Sequence, residues 1–149
     1  MAAYVKFEAF IQHLVNKEHD LFGTTDTLKV YLSNTAPNVA THAVKVDPAE
    51  ISAGNGYTSG GHDTQNDSTR TGGTVTMTGV SLTITASGGT IGPFRYVVLY
   101  NDTPTTPNAD PLIAYWDYGS SITLLDGESF SIKFNNAAVS AAGTIATFA

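Results

Sequence analysis

The amino-acid sequence predicts a mainly β protein, a β-sandwich or jelly-roll-like fold of about eight strands with one N-terminal amphipathic helix. Three observations carry this. Residues 92–102 (Gly-Pro-Phe-Arg-Tyr-Val-Val-Leu-Tyr-Asn-Asp) and 111–119 (Pro-Leu-Ile-Ala-Tyr-Trp-Asp-Tyr-Gly) are aromatic and aliphatic runs closed by turn residues, the pattern of two buried strands joined by a Pro-rich loop. Residues 27–33, 75–78 and 80–85 alternate apolar and polar with period two. A single stretch, near the N-terminus, repeats its apolar residues at helical spacing instead. A chain of 149 residues is read as one domain, residues 1–149, because that length buries enough surface for a core without staples.

In chain order, Tyr4, Phe7, Phe10, Ile11, Leu14 and Val15 recur at three- and four-residue steps with Lys6, Glu8, Gln12 and Lys17 between them. The spacing predicts a helix over about 4–17. Its wide aromatic stripe either covers the open end of a sheet or docks on a neighbouring subunit, and Phe7 and Phe10 are the residues that would make that contact. The sandwich proper is expected over about 27–149. Residues 27–33 place Leu28, Val30 and Leu32 on one face of a strand whose other face meets solvent or a partner. Asp47-Pro48-Ala49-Glu50 has an acidic N-cap, a proline at the first helical position and a Glu at the third, a capping-box variant for one short turn. Gly54-Asn55-Gly56 marks backbone at positive φ.

Residues 58–74 are Ser, Thr, Gly, Asp, Asn, Gln, His and Arg with no apolar residue, and they are expected to form a flexible loop or extended arm. In the following strands Val80, Leu82 and Ile84 point inward, and Ser81, Thr83 and Thr85 outward. Residues 121–124 and 130–134 flank Asp126-Gly127, a strong hairpin signal. Residues 144–148 are expected to form the last strand, in a small, nearly uncharged tail.

Composition narrows the function classes. The chain has no cysteine, so disulfide frameworks, thiolate metal sites and redox couples are excluded. Seven Lys and Arg against 13 Asp and Glu give a net charge of -6 with no basic cluster, which argues against nucleic acid as a partner. No apolar run approaches a membrane span, and the N-terminal residues lack the charged start and apolar core of a signal peptide; a protein made in the cytoplasm, with no membrane partner, is expected. Charged residues are only 13% of the chain, so the surface is neutral and hydrogen-bonding.

Chemistry-bearing constellations are sparse. His13 and His19 are six residues apart, which puts them on different faces of a helix, unlike a zinc pair at i and i+4. Asp63 and Asp67 lack the rest of a calcium loop. Asp117 is the one acid inside a strongly apolar strand, and nothing pairs it with Glu128 as glycoside hydrolysis would need. No nucleophile elbow or phosphate loop occurs. The reading is therefore no enzyme, no metal and no cofactor. Strand alternation puts Trp116 and Tyr118 on one face and Tyr115 and Asp117 on the other. The ring pair either lies in the core or, if exposed, stacks on a sugar or anchors a protein interface, which makes Tyr115, Trp116 and Tyr118 candidate partner-binding residues.

Four ordered motifs, residues 29–37, 53–61, 92–102 and 116–120, cover much of the chain: Lys-Val-Tyr-Leu-Ser-Asn-Thr-Ala-Pro, Ala-Gly-Asn-Gly-Tyr-Thr-Ser-Gly-Gly, the Gly-Pro-Phe-Arg-Tyr run and Trp-Asp-Tyr-Gly-Ser. In these the chain resembles a family of small tailed-phage virion structural proteins. The resemblance implies a head decoration or cement protein that binds the major capsid protein on the capsid exterior as a homotrimer and stabilises the particle. It would be assembled in the host cytoplasm and carried on the virion surface. The competing readings are a tail, fibre or vertex component, and a carbohydrate-binding module. The contacts between subunits would lie on the helix face around Phe7 and Phe10, in the tail from 137 to 149, or in the 60–73 arm.

Overall fold

A computed structural model describes residues 2–149. The fold is mainly β, with ten strands in antiparallel sheets and one short helix arranged as a β-sandwich. The elements are β1 (Val5–Lys6), α1 (Ala9–Val15), β2 (Leu28–Ser33), β3 (His62–Asp63), β4 (Asp67–Thr71), β5 (Thr74–Val80), β6 (Leu82–Thr85), β7 (Ile91–Asn101), β8 (Leu112–Leu124), β9 (Ser129–Ile132), a 3₁₀ turn (Phe134–Asn136) and β10 (Ala142–Phe148). One layer is the five-stranded sheet β1-β8-β7-β2-β3, and the other is built from β10-β5-β4 with the β6-β9 pair.

The two apolar runs singled out in the sequence form β7 and β8, the centre of the larger sheet, in the register Val97↔Trp116 and Val98↔Tyr115. Period-two alternation then sends alternate side chains to opposite sides. Leu28, Val30, Leu32, Val97, Leu99 and Phe94 face the second layer and pack with Met77, Ile84, Ile132, Phe134 and Ile145. On the other side Tyr31, Tyr96, Val98, Tyr100 and Leu112 form a second, smaller core with Phe7.

That second core changes the expectation for β2, whose far face was to meet solvent or a partner. Tyr31 and Ser33 are fully buried there, because the segment from Asn34 to Gly61 folds over the sheet. The Tyr31 hydroxyl lies 3.0 Å from both the Lys45 and Pro48 carbonyls, and Ser33 Oγ donates to the Ala49 carbonyl at 2.7 Å. The Glu50 carboxylate accepts from the Tyr57 hydroxyl (2.8 Å), Lys45 Nζ (2.8 Å) and the Gly60 amide (2.9 Å). Glu50 therefore bridges the segment rather than capping a helical turn, and Asp47 accepts from the Ala43 and Val44 amides that precede it. Gly54, Asn55 and Gly56 do adopt positive φ.

The helix is shorter than the 4–17 stripe. Val5 and Lys6 are extended and pair with Tyr115 and Ala114 of β8, so Tyr4 packs on Trp116 while Phe7 packs on Tyr115, on the opposite face of the same strand. The three-residue step between Tyr4 and Phe7 is thus not a helical one. At its C-terminus α1 closes with Lys17 at φ 62° and the bonds Glu18 N–H to His13 O (2.9 Å) and Lys17 N–H to Leu14 O (3.2 Å), the two bonds of a Schellman cap.

Residues 58–74 are not a free arm: they contain β3 and β4. Polar pegs replace the missing apolar anchors. Asn66, 5% exposed, accepts from the Leu28 amide at 2.8 Å and donates to the Asp26 carbonyl at 2.9 Å. Thr64, fully buried, donates through both its amide and its hydroxyl to the Leu28 carbonyl at 2.9 Å. Buried groups satisfied in this way hold a segment as apolar contacts would.

The Asp126-Gly127 turn forms, with Gly127 at φ 85°, yet it does not close a hairpin. β8 pairs with β7, and β9 pairs with β6 in the opposite layer, so the turn is an arch between sheets. Ser81 is another departure, 1% exposed where alternation points it outward. It sits at the bend between β5 and β6, where its Oγ accepts from the Phe134 amide at 3.0 Å and its amide donates to the Ala141 carbonyl at 3.0 Å.

Candidate functional site

The sandwich is not closed along one side. Past Tyr115, β8 has no partner strand on its outer edge, and β10 is the outer strand of its own sheet. Between these edges lies a cleft of about 680 Å³, lined by Tyr4, Trp116 and Tyr118 from the large sheet, by residues 130–136 and by residues 144–147. Its size lies in the range of small-ligand sites.

Strand alternation accounts for the rings that line it. Trp116 and Tyr118 share one face of β8, as the sequence predicts, and the structure turns that face inward, with Phe130 of β9 beside them. Trp116 is held by the edge of Tyr4 (centroids 5.8 Å, planes at 70°) and by Phe134 (5.8 Å, 56°). Tyr118 meets Phe130 edge to face at 5.6 Å and 76°, and 54% of it remains exposed. The Tyr4 hydroxyl is buried without a hydrogen-bond partner among the described residues, and that burial raises its pKa to about 12. Among the described residues no carboxylate lines the cleft, and Lys133 is its one charged side chain.

The structure separates the five candidate partner-binding residues. Trp116 and Tyr118 line the cleft. Tyr115 is half-buried on the other face of the sheet, against Phe7 at 5.6 Å and Tyr96 at 6.1 Å. Phe7 and Phe10 are each 0% exposed and belong to the chain's own cores. The aromatic stripe that suggested a docking face is the cover of the sheet end, because the exposed apolar positions of the helix are instead Ile11 and Val15.

Asp117, the acid in the apolar strand, faces away from the cleft. Its carboxylate accepts both Arg95 Nε (2.7 Å) and Nη2 (2.8 Å) and the Gly119 amide (2.7 Å). The Arg95 guanidinium holds the Asp117 carboxyl below the usual carboxylate range. A doubly hydrogen-bonded carboxylate of this kind is a cross-strand tie between β7 and β8.

A second cluster escaped the sequence. His13 and His19 come within 6.1 Å of each other, ring to ring, because the chain reverses at Lys17. Both are at least nine-tenths buried, as are Glu18, Asp26 and Asn101. Asn101 Nδ2 bonds Asp26 Oδ2 and lies 3.1 Å from His19 Nδ1, and Asn108 Nδ2 donates to Glu18 Oε2 at 2.9 Å. No group of three or more His, Asp or Glu among the described residues is placed to hold a metal ion. The one legible hint was Tyr100-Asn101-Asp102, a polar end to an otherwise apolar strand.

Burial, and to a lesser degree the neighbouring His13, lowers the His19 pKa to about 4, against the opposing pull of Asp26 and Glu18. The folded protein thus keeps His19 neutral where an unfolded chain takes up a proton, between about pH 4 and 6.5. Stability is expected to be complete above pH 6.5 and to fall as the pH drops toward 4, by about 3 kcal/mol if the whole shift is expressed. Urea denaturation of the parent and of His19→Gln at pH 7, 6 and 5 checks this. The parent should lose stability across that range and the variant should lose much less; parallel losses would exclude His19 as the source.

No protein-family model, no curated protein and no solved structure matches this chain.

Proposed function

We propose that this protein is a structural protein of a tailed-bacteriophage virion, a head-decoration protein that binds the capsid exterior as a homotrimer and stabilises it. The observation that carries the reading is the ordered set of four motifs, together with what their residues do in the fold. Residues 29–37 contain most of β2 and its exit, 92–102 contain nearly all of β7, and 116–120 lie in β8, three neighbouring strands of one sheet. Arg95 of the third motif pairs with Asp117 of the fourth, and the Tyr100 hydroxyl of the third donates to the Gly60 carbonyl of the second at 2.7 Å. The motif residues that can be followed this way tie strands and turns to one another, which suits a family defined by a rigid scaffold.

The physics of a decoration protein fits such a scaffold. Many copies of a small rigid sandwich, each burying modest area across neighbouring capsid subunits, resist internal pressure together through multivalency. A trimer needs ring-closing contacts. With Phe7 and Phe10 inside the fold, the exposed apolar side chains left to make them include Phe22 (82% exposed), Val46 (81%) and Val15 (76%).

The test is the copy number of this chain in purified virions, measured by quantitative mass spectrometry against the major capsid protein. A simple ratio to the capsid subunit, reaching hundreds of copies per particle, is expected. A few to a few dozen copies would move the protein to the tail or a vertex, and its absence from the particle would overturn the reading.

A further inference from the structure

We propose that the cleft between β8 and β10 is a binding site for a short stretch of acidic polysaccharide, a uronic-acid type of sugar chain. The inference goes beyond the virion reading and does not depend on it, since it rests on the chemistry of the cleft wall alone.

Three features of that wall select the ligand class. Trp116, Tyr118 and Phe130 give an aromatic surface, and Tyr118 is half open to solvent. Sugar rings offer C–H faces that pack on such rings, and Tyr combines an apolar body with a polar tip at the wet edge. Asn135 and Asn136, both exposed at the rim, carry amides that both donate and accept, as the paired hydroxyls of a sugar require. They are held in consecutive left-handed conformations, φ 47° and 57°, a disfavoured backbone of the kind concentrated at binding sites.

The third feature is charge, and it separates acidic from neutral sugars. The chain carries 13 Asp and Glu and a net charge of -6, yet among the described residues the cleft is lined by no carboxylate and by one cationic side chain, Lys133. Lys133 belongs to none of the ion pairs among the described residues. An ammonium outside every described ion pair, on the wall of a cleft with no carboxylate among its described residues, is complementary to a sugar carboxylate. A cleft of about 680 Å³ has room for two or three rings.

The experiment titrates the intact protein with tri- and tetragalacturonic acid, and with their methyl esters, by calorimetry and by quenching of the single tryptophan, Trp116. The free acids should bind and the esters should bind at least about tenfold more weakly. Tyr118→Ala, at a ring that is 54% exposed, should weaken the acids about tenfold. Lys133→Gln should remove the preference for acid over ester while leaving ester binding unchanged. Absence of binding to any of these oligomers, equal affinity for acid and ester, or binding untouched by both substitutions would overturn the assignment. So would sedimentation showing that the parent dimerises through the cleft and that Tyr118→Ala is monomeric, since the occupant would then be a second copy of the chain.

Discussion

Phe10→Asp is expected to unfold the protein. The ring of Phe10 is 0% exposed and sits among His19 (centroids 5.2 Å apart) and Phe148 (6.1 Å) at the meeting of α1, the loop after it and the end of β10. Phe10→Ala alone should cost roughly 3–5 kcal/mol, the lost transfer energy plus the cavity. An aspartate adds a buried charge beside His19, which already lies near the carboxylates of Glu18 and Asp26. Domains of this size have about 5–15 kcal/mol in total, so the Asp variant should be recovered aggregated or unfolded. Urea denaturation followed through Trp116 measures the Ala variant directly. A loss under about 1 kcal/mol would mean that α1 is not seated as described. Loss of assembly in Phe10→Asp would therefore report the fold and not an interface.

Gly61→Ala should be nearly as damaging for a different reason. Gly61 has φ 73°, and a Cβ at that position would stand 2.1 Å from the carbonyl oxygen of Val30 and 2.9 Å from Tyr31 Cα. The left-handed conformation costs a residue with a side chain about 1–2 kcal/mol. The clash is with backbone in the middle of β2, which cannot rotate aside like a side chain, so the β2–β3 ladder must part. A total of about 3 kcal/mol or more is expected, in the range of the severe single substitutions. Gly73→Ala is the control, because its Cβ would meet nothing within 4 Å and its φ is not in the left-handed region. Equal stability of the two variants in urea would show that Gly61 does not touch Val30.

These two residues illustrate why sequence reading succeeded in some places and not in others. Phe10 was recognised as apolar at helical spacing, which is a local property, but whether its stripe met the chain's own sheet or another subunit depended on elements more than one hundred residues away, such as Phe148. Gly61 stood in a run that looked free because it had no apolar residue. Its fixation comes from buried hydrogen bonds of Thr64 and Asn66 to Leu28, and a polar anchor looks the same in sequence as a solvated loop. His13 and His19 were separated on helical geometry, and the left-handed Lys17 then broke that geometry and brought them together.

By itself the sequence determined the strands β2, β7 and β8, the placement of Trp116 and Tyr118 on one face of β8, and the positive φ of Gly54 to Gly56. Each of these follows from period-two alternation or from turn chemistry, which act over a few residues. Only the tertiary structure decided that Asp126-Gly127 joins two layers instead of two paired strands, that Tyr4 and Phe7 lie on opposite faces of one sheet, and that β8 and β10 leave an aromatic cleft open between them. Those outcomes depend on which strand edges find partners, a competition among segments distant in the chain that no local pattern records.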